Sequence, residues 1–338
     1  MNKWAALLST AALALTLAAC GDKEKTADNA SNASSGETYA LKYQGETGIV
    51  TPAEVAEDLG YFKNVSLDYQ GAYTGGPESI QFVATKQLDY GMAFNGAIIK
   101  SIDKGVKIKS VISSYGSNKE IFLGFFGQKG SKIKEPKDLI GKKVALNIRG
   151  AHYEMAVKQY LYNAGLTDKQ IEQVQFVVLP QVNSEQAVIN GQVDVAALNG
   201  IFRDKALESK KVDLLFKDVD AFDGQYNAGS YFFRDEFIKE NPEVVKDFTQ
   251  GVSKAIDWMK ETDRDEVVAR LEDIMEKRDR DEPIENLQYW QGTGINTKGG
   301  VIQESDFNQW RPLLKRLGDI QDENVDTSTM YTNEFNPY

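Results

Sequence analysis

One histidine, His152, and one cysteine, Cys20, occur in the 338 residues, so chemistry that needs an imidazole or a thiol has one candidate of each. His152 stands in Arg149-Gly150-Ala151-His152, after an apolar run at 143–146, and opens a helical pattern that ends at Ala164 with Gly165 as its stop. A helix start offers unpaired backbone N–H groups, and an arginine beside it adds positive charge, which makes the segment a candidate anion site. Gly75-Gly76-Pro77 is a second such opening: glycines admit close approach to the backbone, and proline suits the first helical turn. As a general base, His152 would need a positioned acid partner. The nearby carboxylate, Glu154, lies two residues on and projects from another part of the helix. The sequence holds no Walker loop, HExxH or dinucleotide GxGxxG, and it lacks the cysteines and histidines for a zinc cluster. No cofactor or metal is expected, and binding is favoured over catalysis.

These candidates need elements to hold them. Residues 84–96 read ATKQLDYGMAFNG and residues 188–200 read VINGQVDVAALNG, two loose copies of a helix end, a glutamine, an aspartate and an apolar strand closing on Asn-Gly. Ile80, Val83, Ala84 and Leu88 share a helical face before the first copy, and 185–190 ends a shorter helix before the second. Short apolar strands preceded by helices predict βαβ units and parallel sheets. Ligands of such sheets bind beyond the carboxyl ends of the strands, where Asn95-Gly96 and Asn199-Gly200 fall.

The first 37 residues read differently. Lys3 precedes an apolar stretch at 4–19, shorter than the roughly 20 residues of a spanning helix and laid out like an export signal. Leu17-Ala18-Ala19-Cys20 resembles the bacterial lipobox, which implies removal of residues 1–19 and lipidation of Cys20. Residues 21–37 contain no aromatic residue and no aliphatic one larger than alanine, so 20–37 is expected to be the lipidated cysteine and a flexible tether spanning about 20–25 Å. Without residues 1–19 the chain carries 38 basic and 50 acidic residues, a formal net of −12. That balance argues against nucleic acid as a partner and against a peripheral grip on anionic lipid.

From residue 38 the order TGGP, QLDYGMAFNG, DLIGKKVALNIRGAHYEMAVKQYLYNAGL, GQVDVAALNG and FIKENPEVVKDF is similar to the solute-binding proteins of the nitrate, sulfonate and taurine class of ABC importers, over about 38–260. The resemblance implies an α/β, two-lobe periplasmic-binding-protein-like fold of type II with the ligand cleft between the lobes. Lobe I would span 38–124 and lobe II 125–231, with 232–338 returning to lobe I and ending in C-terminal helices. The strands at 122–127 and 230–234 would cross between them. Carried over position by position, the implied ligand-binding residues are Gln44, Thr47, Gly76, Pro77, Asn95, Ser114, Tyr115, Arg149, Ala151, His152 and Asn199. Three departures bear on the ligand. Arg149-Gly150 replaces the small hydroxyl residues common in sulfonate binders, Asn199-Gly200-Ile201 replaces a Trp-Asp-Pro, and the cysteine cluster of pyrimidine-precursor binders is missing.

The resemblance therefore implies a monomeric lipoprotein, anchored to a bacterial membrane and facing the periplasm or exterior. It would deliver a small molecule to an ABC permease with its ATPase. An organic anion such as an aliphatic sulfonate or taurine is the first expectation, and a nitrate-like anion or a heteroaromatic metabolite comes behind it. Two rivals from other classes are a two-lobed α/β enzyme using His152 and a lipoprotein that contacts only other proteins.

Overall fold

The computed structural model describes residues 38–222 and 224–338. The export signal, Cys20 and the tether expected at 1–37 lie outside the described residues. Among the described residues, ten strands form three sheets. β1 (Tyr39–Gly45) and β2 (Val65–Ala72) pair in parallel. β10 (Tyr226–Arg234) lies between β3 (Tyr90–Phe94) and β4 (Ile108–Ser117), antiparallel to both. The third sheet has the order β7-β6-β8-β5-β9, with β5 at Gly124–Gln128, β6 at Lys143–Leu146, β7 at Gln175–Val178, β8 at Val195–Leu198 and β9 at Val212–Lys217.

β1–β4 together with β10 frame one lobe, and the five-stranded sheet frames the other. The chain passes between them at 118–123, just before β5, and again at 218–225, just before β10. All of β10 up to Phe233 is buried, as expected of a central strand covered on both faces, and it belongs whole to the three-stranded sheet. The return crossing thus precedes Tyr226 instead of running through 230–234. Pairing is also mixed where alternating helices and strands predict parallel sheets. β6 is parallel to β7 and β8, but β5 and β10 enter after a crossing and run against their neighbours.

Local chemistry explains where the helices begin. Thr51 and Glu54 form a reciprocal capping box at the Pro52–Asp58 helix, which fixes the end of the 46–51 loop. The Gly76–Ala84 helix starts against β3 so closely that a Cβ at Gly76 would sit 2.8 Å from the Ala93 Cα. Gly165, at φ +79°, stops the chain after the His152–Asn163 helix. The Pro242–Glu261 helix buries Val245, Phe248, Val252 and Ile256 along one stripe against β1, β4 and β10. Among the described residues, no helix is long and apolar enough to cross a membrane.

Candidate ligand-binding cleft

A cavity of about 170 Å³ opens between the lobes at the ends of β1, β3, β6 and β8. This is the position at which open α/β sheets take their ligands. From one lobe come the 46–52 loop, Tyr73, Gly75 and Gly76, the end of β3 and Ser114–Ser117 of β4. The other contributes Asn147, Ala151–Tyr153 at the start of the 152–163 helix, and Asn199–Ile201 after β8. A third wall comes from far along the chain, with Met259, Leu271, Leu287, Trp290, Gly292 and Thr293.

Of the residues implied by the resemblance, Gly76, Ser114, Tyr115, Ala151, His152 and Asn199 come together in this wall, while Gln44, Thr47, Pro77, Asn95 and Arg149 do not. Gln44 sits at the irregularity in the β1–β2 register between Tyr43 and Gly45, and Thr47 faces solvent. Pro77 belongs to the helix turn behind Gly76. Asn95 is buried in a structural knot: it accepts from the Ser230 hydroxyl at 2.6 Å and donates to the Asn227 and Asp306 carbonyls at 3.2 and 3.1 Å.

Arg149 is turned away from the cleft. Its Nε donates to Glu154 Oε2 at 2.7 Å and its guanidinium lies 5.0 Å from the centre of the Phe176 ring. Burial opposes ionisation of Glu154, but the bonds from Arg149, Lys158 and the Gly150 N–H outweigh it and hold the carboxyl at about 2. Stability from this cluster is therefore present above the ordinary carboxylate range and is lost as pH falls toward about 2. Because the Arg149 side chain is 56% exposed, Arg149→Ala should cost only about 0.5–1 kcal/mol of stability after solvent screening. Ligand affinity should change by less than about twofold. Thermal melts and titration of the same variant check both.

Tyr73 carried no signal in the sequence, whereas Glu46, Tyr115 and Tyr153 fall within or beside the segments that the resemblance marks. Glu46 accepts from Gln181 Nε2 at 3.0 Å, a bond that joins the two lobes. Burial raises the Glu46 carboxyl above its ordinary value, and the Gln181 bond only partly offsets this. Burial and then the nearby Glu46 carboxyl raise the phenols of Tyr73, Tyr115 and Tyr153, so all three stay neutral. Together with Phe94, Phe122 and Trp290 they make the wall strongly aromatic.

His152 has the acid partner that its sequence neighbourhood lacks. Its ring stacks on Phe94 at 5.2 Å, and its Nε2 lies 3.1 Å from the Tyr226 hydroxyl and 3.4 Å from Asp218 Oδ2. Tyr226 and Ser117 both donate to that Asp218 oxygen at 2.6 Å. Burial opposes the Asp218 charge, yet the bonds from His152, Ser117 and Tyr226 hold its carboxyl below the usual range. Since the Tyr226 proton is committed to Asp218, the His152 Nε2–H is the donor toward the hydroxyl oxygen. Its Nδ1 is buried and has no protein partner among the described residues. The wall thus offers one carboxylate acceptor, Glu46, framed by neutral aromatic rings.

Two facing lobes with a cleft of this kind define the periplasmic-binding-protein fold. The alkanesulfonate-binding protein of Xanthomonas axonopodis pv. citri, solved bound to MOPS, superposes with a TM-score of 0.67 over 88% of this chain and 99% of its own, at 13% identity. The chain belongs to the NMT1/THI5-like family, whose profile matches residues 49–265. A Brucella abortus protein named as a binding protein is 25% identical over 209 residues, 60% of this chain and 61% of its own. The Saccharomyces cerevisiae 4-amino-5-hydroxymethyl-2-methylpyrimidine phosphate synthase is 24% identical over 235 residues, 66% of each chain. The chain thus spans about three fifths to two thirds of the length of these curated relatives.

Proposed function

We propose that this protein is the solute-binding component of an ABC importer and that it captures a single-ring nitrogen heteroaromatic carrying amino N–H donors. The observation that carries the ligand class is charge: among the described residues lining the cavity, Glu46 is the one carboxylate and none is Lys or Arg. An organic anion would meet the Glu46 carboxylate with no Lys or Arg in the wall to offset it, which is costly in a desolvated site. An amino group or protonated ring nitrogen would instead find an acceptor in Glu46, and its ring would lie among aromatic side chains. Size points the same way, since an apolar protein cavity of about 150 Å³ accommodates benzene. The pyrimidine in the yeast relative's name is consistent with this class. The sulfonate expectation rests on fold likeness and on Arg149, and Arg149 is engaged outside the cleft.

Mass spectrometry of small molecules released on denaturing the purified protein tests the reading. A one-ring amino heterocycle is the expected finding, and a sulfonate or nitrate would overturn the ligand class. Capture without turnover is the function proposed. The His152–Asp218 pair favours a second reading, an enzyme, and conversion of the bound heterocycle to a new mass on incubation would favour it. Membrane anchoring through Cys20 is part of the same proposal. Cys20→Ser should move the processed protein from the membrane to the soluble fraction, and unchanged membrane retention would remove the anchor.

A further inference from the structure

Residues 282–293 lie beyond the segment shared with the family profile, yet they bridge both lobes and close one side of the cleft. At the first lobe, Glu282 accepts from the Gly48 N–H at 2.7 Å and is paired in two places by Arg278, which also donates to the Ile49 carbonyl at 3.1 Å. Across the cleft, Lys205 Nζ donates to Asn286 Oδ1 at 3.0 Å. Trp290 packs on the cluster of Ile201 and Phe202 from the second lobe and on that of Leu271 and Leu287 from the other side. Its carbonyl accepts from Arg264 Nε at 2.9 Å, and the Thr293 carbonyl accepts from the Gly116 N–H of β4 at 3.1 Å. The strap is therefore fixed at several points, and between them a large, partly exposed indole faces the cavity.

We propose that Trp290, carried on this strap, is the size-selecting residue of the cleft: its indole admits a molecule of about one ring and excludes bulkier ones. The proposal rests on the cleft being the ligand site but not on which ligand enters. Filling a fixed volume with a rigid aromatic side chain is an inexpensive way to refuse larger molecules, because extra atoms meet a close-packed wall. Lys205 acts as a positioning residue, since its bond to Asn286 holds the strap against the opposite lobe.

Thiol access tests this without knowledge of the ligand. In the full chain carrying Cys20→Ser, Asn199→Cys places one thiol on the cavity wall at a half-buried position. The probes are iodoacetamide and the much larger N-(1-pyrenyl)maleimide. With Trp290 present, iodoacetamide should label and the pyrenyl reagent should lag far behind. Trp290→Ala should raise the pyrenyl rate relative to iodoacetamide by about tenfold, an increment of 1.4 kcal/mol in barrier. Trp290→Phe should restore most of the exclusion. Lys205→Ala, which keeps the indole and disturbs the core little, should raise the same ratio by a smaller factor. An unchanged ratio in both alanine variants, an equal rise for both reagents, or no labelling in any variant would overturn the proposal. A wrong ligand class would leave every one of these rates as expected.

Discussion

Glu46→Gln should weaken binding of a one-ring amino heterocycle such as 4-aminopyrimidine by about 10- to 150-fold, the value of a charge-assisted hydrogen bond worth about 1.5–3 kcal/mol. Glutamine has the shape of glutamate, so the contact with Gln181 and the packing around Tyr73, Tyr115 and Tyr153 should persist. The ligand-free protein should not lose stability. Burial raises the Glu46 carboxyl above its ordinary 4.5, so its ionised form costs folding energy, and that cost grows as pH rises from 4.5 through the raised value. Glutamine carries no such cost at neutral pH. Affinity runs with the opposite sign, because protonation removes the acceptor the ligand needs. Wild-type affinity should fall as pH drops, beginning above the ordinary carboxylate range, and the glutamine variant should show a flatter profile. Calorimetric titrations of both proteins at several pH values check it; equal affinities would remove Glu46 from the site.

Gly116→Ala should be the most damaging single methyl group at the cleft. A Cβ there would lie 2.3 Å from the Gly294 carbonyl oxygen and 2.8 Å from that of Tyr226, and both are backbone atoms with no flexible end to move aside. Gly294 itself has φ +71°, a conformation that favours glycine, which lets the segment following the strap run this close to β4. Overpacking of this kind costs about 1–3 kcal/mol, and the backbone contacts put Gly116→Ala at the upper end. Lost affinity should accompany the lost stability, since Thr293 and Trp290 line the cavity on the displaced segment. Chemical denaturation and titration of the variant measure both, and a melting midpoint equal to wild type would show that β4 and the 292–294 segment are not held together as described.

The same physics decides what could be read in advance. β6 falls at 143–146 and the helix after it begins at His152, because an apolar strand, a glycine-bearing turn and a glycine stop are local signals. The two Asn-Gly copies do both open helices after apolar strands, yet their asparagines part company. Asn199 lines the cavity, whereas Asn95 is tied to Ser230, 135 positions away, a partner that no local pattern names. Arg149 shows the limit in another way. Proximity to a helix start was visible, but its direction was set by competition between the cleft and Glu154, and the buried carboxylate won. The resemblance marked the span from Gln44 to Thr47, and three-dimensional placement makes Glu46 the member of it that lines the wall. The strap was illegible for a different reason. It is short, largely irregular and past the shared segment, so neither periodicity nor likeness marks it.

Equilibrium titration of the purified protein with 4-aminopyrimidine, a one-ring heteroaromatic with an amino donor, and in parallel with taurine, tests the proposed ligand class most directly. Binding of the pyrimidine with a Kd at or below about 1 μM, close to −8 kcal/mol, and no detectable heat with taurine is the result predicted. Tight binding of taurine with none of the pyrimidine would contradict it.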